Sequence, residues 1–345
     1  MRFRFSDEQL TFRDAARDLL AKECPPSVVR AVWDGDTAGE DAVWAALCEM
    51  GVVGLRASEK HGGLALSDLD LVLLLREAGR VALPYPVVET AAVAVPLLDE
   101  IGGSLAAEWI PRIASGETHV AVGLPGERFV PAATKADLFL LVAGDAIHAV
   151  PRGDLTIRPQ VSVDRSRRLG LVDWAPSPAT RVAEGATATG LTELSRLRAA
   201  LGTAAFLLGL GRHLLDITVG YACERHQFGV PIGSQQAVKH KLADVAVALT
   251  FAEPVVYRAA YSLAHGPGLA DEVVGEGVDV HVSMAKAMAS DAAMLAAEHA
   301  LQCHGAIGYS YEYDLQLWMK RVWCLAAAHG DARTHRSVVE RAVLG

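Results

Sequence analysis

Apolar residues recur at helical spacing toward both ends of this chain and in short unbroken runs through its middle. Ser6 followed three positions later by Gln9 is a capping-box pattern, and Leu10, Phe12, Ala16, Leu19 and Leu20 continue it as one face of a helix. Ala42, Val43, Ala46, Leu47 and Met50 predict a second helix, stopped by Gly51. A third is expected over 67–78 with Gly79 as its C-terminal stop. Pro84 and Pro86 then break the chain before a further helical run over 91–98.

The pattern changes near Thr118. Valine- and leucine-rich runs at 119–124, 138–143, 146–150 and 169–174, separated by Gly, Pro and Asp, are strand signals and predict a small β domain ending around Glu184-Gly185. From Leu191 the helical period returns in four segments, 191–224, 234–265 with Pro254 as a kink, 269–304 and 314–328. The expectation is an α+β protein: an N-terminal helical domain over 1–117, a middle β domain over 118–186 and a C-terminal four-helix bundle over 187–345.

Composition narrows the class. The chain has 345 residues, 51% hydrophobic and 21% charged, ample for a large core. A net charge of -9 argues against a nucleic-acid partner. The one basic cluster, Asp164-Arg165-Ser166-Arg167-Arg168, reads as a solvated loop. Five scattered cysteines, with no CxxC, fit buried thiols in a reducing, cytoplasmic compartment rather than a disulfide framework or a metal site. The N-terminus shows no apolar signal core. The longest charge-free helical stretch, 199–211, is about 13 residues, too short to cross a bilayer, so a soluble protein without membrane contact is expected.

The candidate chemistry lies between two of the long helices, in the segment Arg225-His226-Gln227-Phe228-Gly229-Val230-Pro231-Ile232-Gly233-Ser234-Gln235-Gln236. A tight Gly/Pro turn there sets an arginine, an exposed aromatic and several amides beside a helix N-terminus. Arginine offers a bidentate fork to an anion, and the helix end offers free N–H groups. A planar ring can stack on Phe228. Taken as residues alone, the same segment also reads as a helix hairpin whose Phe228 caps the core.

The order Arg-x-Gln-Phe-Gly-x-Pro-Ile, with the Gln-Ala-Val and Leu-Ala-Asp that follow, closely resembles the signature of the acyl-CoA dehydrogenase family. Trp44, Gly51-Val52-Val53-Gly54-Leu55 and Glu59-Lys60-His61-Gly62-Gly63 resemble the family's first domain, and Gln302-Cys303-His304-Gly305-Ala306-Ile307-Gly308-Tyr309 its Gln-x-x-Gly-Gly-x-Gly turn. The resemblance implies FAD as cofactor, with Arg225, Gln227, Phe228, Gln236, Gln302, Gly305 and Ala306 at its pyrophosphate and adenosine end across a subunit interface. It further implies an acyl thioester such as acyl-CoA as substrate, desaturated to the trans-2-enoyl form, an electron-transfer flavoprotein as acceptor, and a homo- or hetero-oligomer.

Two departures stand beside it. The family's catalytic glutamate comes from one of two places; counting without a gap, these hold His329, followed by Gly330, and Ala199. His329 is therefore the candidate base, an imidazole of ordinary pKa about 6.5. Asp331 and Glu193 are the nearby acids, and a homologous partner supplying the base, as in the α2β2 members that act on steroid side chains, is the alternative. A flavin monooxygenase on the same fold would need no such base. The second departure is Val122-Gly123-Leu124-Pro125-Gly126-Glu127-Arg128, which stands where the family has Thr-Glu-Pro-x-Ala-Gly-Ser-Asp around the flavin ring.

Overall fold

The computed structural model describes residues 4–265 and 277–345. The N-terminal third is helical: α1 (Asp7–Glu23), α2 (Pro26–Asp34), α3 (Ala38–Glu49), α4 (Asp68–Arg80), a π-wound stretch Val88–Ala94 that runs into α5 (Val95–Ile101), and α6 (Gly103–Ala114). The capping box forms as the sequence predicts, Gln9 N–H donating to Ser6 Oγ at 3.2 Å and Ser6 N–H to Gln9 Oε1 at 2.9 Å. Helices α2 and α6 were not anticipated. Each begins where a periodic pattern is masked, α2 behind Pro25-Pro26 and α6 at Gly103 with Pro111 inside it.

Gly79 does not stop α4. It lies inside the helix, and the chain turns out of it at Ala82, which adopts a left-handed φ of 46°. The glycine serves packing instead. An added Cβ at Gly79 would sit 2.1 Å from Phe206 O, and one at Gly209 would sit 2.0 Å from Arg76 O. The two helices cross backbone to backbone at this pair of glycines.

The middle segment holds β1 (Val120–Gly123), β2 (Leu138–Ala143), β3 (Ala146–Pro151), β4 (Thr156–Pro159), β5 (Gly170–Asp173) and β6 (Arg181–Glu184). The main sheet has the order β1-β2-β3-β6, with β1 parallel to β2 and the other pairings antiparallel; β4 and β5 form a separate hairpin. Strands β4 and β6 were missed because they are short, polar and half-exposed, with no apolar run to mark them.

The basic cluster is not a solvated loop. Asp164 and Ser166 are buried and both bond the Arg321 guanidinium, which also donates to Leu83 O at 2.8 Å. Arg168 grips buried Glu40 with two bonds of 2.5 Å. The cluster pins the β domain to the first and last helical parts, so these charges are desolvated in pairs.

The C-terminal part consists of α7 (Gly185–Glu224), α8 (Gln236–His265), α9 (Val278–His304), α10 (Leu315–Ala327) and α11 (Ala332–Leu344). The stretch 269–276 of the expected third segment lies outside the described residues. Helix α11 adds a fifth element to the expected four. By length and apolarity α7 resembles a membrane span, but 78% of its apolar window is buried inside the protein, as befits a core helix. Of the cysteines, Cys24 is buried, Cys223 is exposed and the other three are intermediate.

Candidate active site

Two clusters hold the candidate residues, and they lie at opposite ends of the bundle. The first is built where α7 gives way to α8. β7 (His226–Gln227) and β8 (Val230–Pro231) pair as a minimal hairpin with Phe228-Gly229 at its tip. Both tip residues are left-handed, with φ of 53° and 81°. That geometry suits a two-residue hairpin but is uncommon for a bulky side chain, and it throws the Phe228 ring into solvent at 96% exposure. Phe228 therefore does not cap the core. The side chains of Arg225, Gln227 and Gln236 are exposed, and among the described residues none of them has a hydrogen-bond or ion-pair partner.

The turn after α9 lies at the same end. His304 stacks on Tyr221 with ring centroids 4.3 Å apart, which sets Gly305 beside the last turn of α7. Gly305 has φ 62° and ψ -138°, a conformation open in practice only to glycine. Nothing lies within 4 Å of where its Cβ would be, so backbone conformation demands this glycine, while the crowded glycine is Gly308, against His304 and Leu301. Gln302, Gly305 and Ala306 are all exposed.

The second cluster surrounds His329. After α10 ends, His329 and Gly330 take left-handed φ of 55° and 90°. Three elements hold this turn. From the loop after β1, Glu127 Oε1 accepts the His329 backbone N–H at 2.8 Å and lies 3.1 Å from His329 Nδ1, off-line for a full hydrogen bond. From α11, His335 Nε2 donates to His329 O at 2.9 Å while its Nδ1 lies 3.1 Å from Ser283 Oγ. From α9, the fully buried Lys286 Nζ donates to Gly330 O at 2.9 Å, Ala326 O at 3.1 Å and Ser290 Oγ at 3.1 Å. The cluster lines a cleft of about 470 Å³ between the β1 loop, the start of α7 and α11.

Electrostatics follow from this packing. Burial works against ionisation of Glu127, but the His329 side chain and backbone N–H outweigh it and hold the carboxyl at about 2. Burial pushes the Lys286 ammonium down to about 8, with Asp331 and Glu127 partly restoring it. Burial likewise lowers His335.

His329 thus stands in the cleft, whereas Ala199 faces the core. Asp331 is committed to capping α11, accepting Thr334 N–H at 2.8 Å, and Glu193 sits on the cleft rim beside Arg196. Glu127, Lys286 and His335 were not singled out from sequence as site residues. A lone lysine in the alanine-rich stretch Ala285-Lys286-Ala287 was the one available signal.

The separation is large. His329 is anchored near Ser283, and Gly305 lies 22 residues farther along α9, roughly 33 Å at 1.5 Å per residue. The hairpin and His329 therefore lie toward opposite ends of α9.

Comparison with known proteins decides the family. The family models "Acyl-CoA dehydrogenase, N-terminal domain" and "Acyl-CoA dehydrogenase, C-terminal domain" match residues 6–117 and 188–344. This chain belongs to the acyl-CoA dehydrogenase family. The curated "Acyl-CoA dehydrogenase IpdE2" of Mycolicibacterium smegmatis is 29% identical over 95% of this chain and 94% of its own. Among solved structures, butyryl-CoA dehydrogenase from Megasphaera elsdenii superposes with a TM-score of 0.86 at 20% identity, covering 100% of both chains. The ChsE4-ChsE5 complex from Mycobacterium tuberculosis gives 0.82 at 21%, covering 99% and 98%. These two likenesses establish the acyl-CoA dehydrogenase fold.

Family membership makes the chain an oxidoreductase of the acyl-CoA dehydrogenase type with FAD as cofactor. The residues present fit the cofactor's adenosine end: an unpaired Arg225 fork, a solvent-exposed Phe228 ring and a glycine turn open above Gly305. In the loop after β1, the Glu127 carboxylate crosses to His329.

Proposed function

We propose that this chain is a subunit of an FAD-dependent acyl-CoA dehydrogenase whose cofactor sites are completed between chains, with His329 in place of the missing glutamate as acceptor of the α proton. The observation that carries the reading is the separation of roughly 33 Å along α9 between the hairpin end and His329. An exposed, unpaired Arg225 and an outward Phe228 have no use within their own subunit; they suit a cofactor seated mostly on a neighbour. In this reading Arg225, Gln227, Phe228, Gln236, Gln302, Gly305 and Ala306 grip the pyrophosphate and adenosine of FAD. The bound flavin supplies the hydride acceptor. The substrate is an acyl thioester, the protein works in the cytoplasm in lipid metabolism, and an electron-transfer flavoprotein takes the electrons.

A second reading is favoured by one observation. Glu127 bridges to His329 at the ring end, so a homologous partner would hold the ring and the base while this chain lends only the adenosine half. That arrangement would be an α2β2 assembly; the structural neighbour ChsE4-ChsE5 is a complex by name.

The visible spectrum of the chain purified alone, with FAD counted per chain, separates them. About one FAD per chain that bleaches anaerobically with an acyl-CoA supports copies of this chain completing each other's sites. A colourless chain that gains flavin only when co-expressed with a homologous chain replaces that reading with the second.

A further inference from the structure

We propose that Glu127 is a positioning residue for His329: its carboxylate holds the imidazole with the proton on Nδ1, leaving the Nε2 lone pair free to take a proton. The inference rests on the reading of His329 as proton acceptor. It deepens that reading by assigning a partner that the family pattern does not supply at this place.

A single oxygen, Glu127 Oε1, meets both the backbone N–H of His329 at 2.8 Å and Nδ1 at 3.1 Å. The ring is therefore gripped from the same point as its own main chain, which restricts its torsions. The imidazole is only 7% exposed; neither ring nitrogen makes a full hydrogen bond, Nδ1 having the off-line Glu127 carboxylate 3.1 Å away and Nε2 having no polar partner. An orphaned buried polar atom is rare in a folded protein and calls for an explanation. Here the explanation is a lone pair held ready for a proton.

The backbone repeats the theme. His329 keeps a left-handed φ of 55°, a strained choice for a residue with a side chain. Bonds to its N–H from Glu127, to its carbonyl from His335 and to the next carbonyl from Lys286 over-determine that conformation.

Of the charged groups lining the cleft, Glu127, Glu193, Arg196, Asp279 and Arg341, Glu127 is the one in ion-pair contact with His329 among the described residues. Lys286 on α9 spends its ammonium on Ser290, Ala326 and Gly330. His335 on α11 donates to a carbonyl. Asp331 caps α11 through Thr334, and Arg167 acts on Glu127 from a distance. A carboxylate beside one ring nitrogen fixes the tautomer and stabilises the imidazolium that forms when the other nitrogen takes a proton.

During turnover the Cα–H bond breaks, its proton forms a bond with Nε2, and its electron pair becomes the new C=C bond. FAD, when bound, would supply the two-electron acceptor for the hydride leaving Cβ. Glu127 takes no proton and is not in contact with the reacting atoms.

The test is the tautomer, read from the ring nitrogen shifts of 15N-histidine-labelled protein at a pH where the ring is neutral, with H329Q used to assign the signal. Wild type is expected to hold the Nδ1–H form. E127A is expected to lose that preference, and E127Q, which keeps an acceptor oxygen, to retain most of it. An Nε2–H form in wild type, or a population unchanged in E127A, overturns the proposal. Should E127A fail to fold, E127D gives the same readout, because its carboxylate falls one methylene short. In the FAD-loaded assembly E127A is expected to lower kcat about tenfold or more with KM unchanged, and H329A to lower it about 10²- to 10⁴-fold, the ordinary range for a general base. Full turnover in H329A with the tautomer as expected sinks the proton-acceptor reading and leaves the positioning relationship standing; a wrong tautomer does the reverse.

Discussion

Lys286, fully buried on α9, donates to the carbonyl of Gly330 at 2.9 Å, and so ties the centre of the bundle to the residue after His329. An ammonium in that position neutralises the orphaned carbonyls at the end of α10, and its burial shifts its own equilibrium. Its pKa falls from 10.5 to about 8. Between these values the unfolded chain binds more protons than the folded one, so this group makes stability rise with pH.

The stability difference between wild type and K286M should therefore move in favour of wild type as pH climbs from 8 to 10.5, by up to about 3 kcal/mol at 1.36 kcal/mol per pKa unit. Urea unfolding of both proteins across that window reads the difference; a flat line contradicts the assignment.

Glu127 has the opposite sign. Its folded pKa of about 2 lies below the ordinary 4.5, so its contribution is present above 4.5 and is lost as pH falls toward 2. Acid unfolding of wild type should show this loss, at most about 3 kcal/mol, and E127Q should lack it. Equal acid sensitivity in the two proteins would remove the Glu127–His329 pair from the account.

The Arg225 side chain makes no hydrogen bond or ion pair among the described residues, so R225A should leave the thermal unfolding of the flavin-free protein unchanged. FAD affinity should fall about tenfold to a hundredfold, the loss expected for a charge-assisted hydrogen bond worth about 1.5–3 kcal/mol. Flavin retained after gel filtration measures it, and unchanged retention would take the hairpin out of the cofactor site.

The crossing of α4 and α7 predicts a contrast between two glycines of one helix. G209A places a Cβ 2.0 Å from Arg76 O and should destabilise by about 3 kcal/mol or more through overpacking. G220A meets nothing within 4 Å and should stabilise by up to about 1 kcal/mol through helix propensity. Equal effects in a denaturant titration would contradict the crossing geometry.

The helical and β regions, the capping box at Ser6 and the Arg225–Gln236 segment were legible in the sequence because local pattern governs them. Apolar periodicity marks a helix or strand wherever one face is buried, and a Phe-Gly hairpin tip with an unpaired arginine is a short contiguous motif. The same locality placed His329 by counting from Gln302.

Tertiary structure alone decided the rest. Gly79 reads as a stop until α7 is laid across it. The run Asp164–Arg168 reads as solvated until Arg321 and Glu40, distant in sequence, arrive to pair with it. Glu127, Lys286 and His335 lie 202, 43 and 6 residues from His329 along the chain, and no local period links them. Which charge meets which is set by how helices and sheet pack, a long-range property; sequence patterns report only which face of an element is buried.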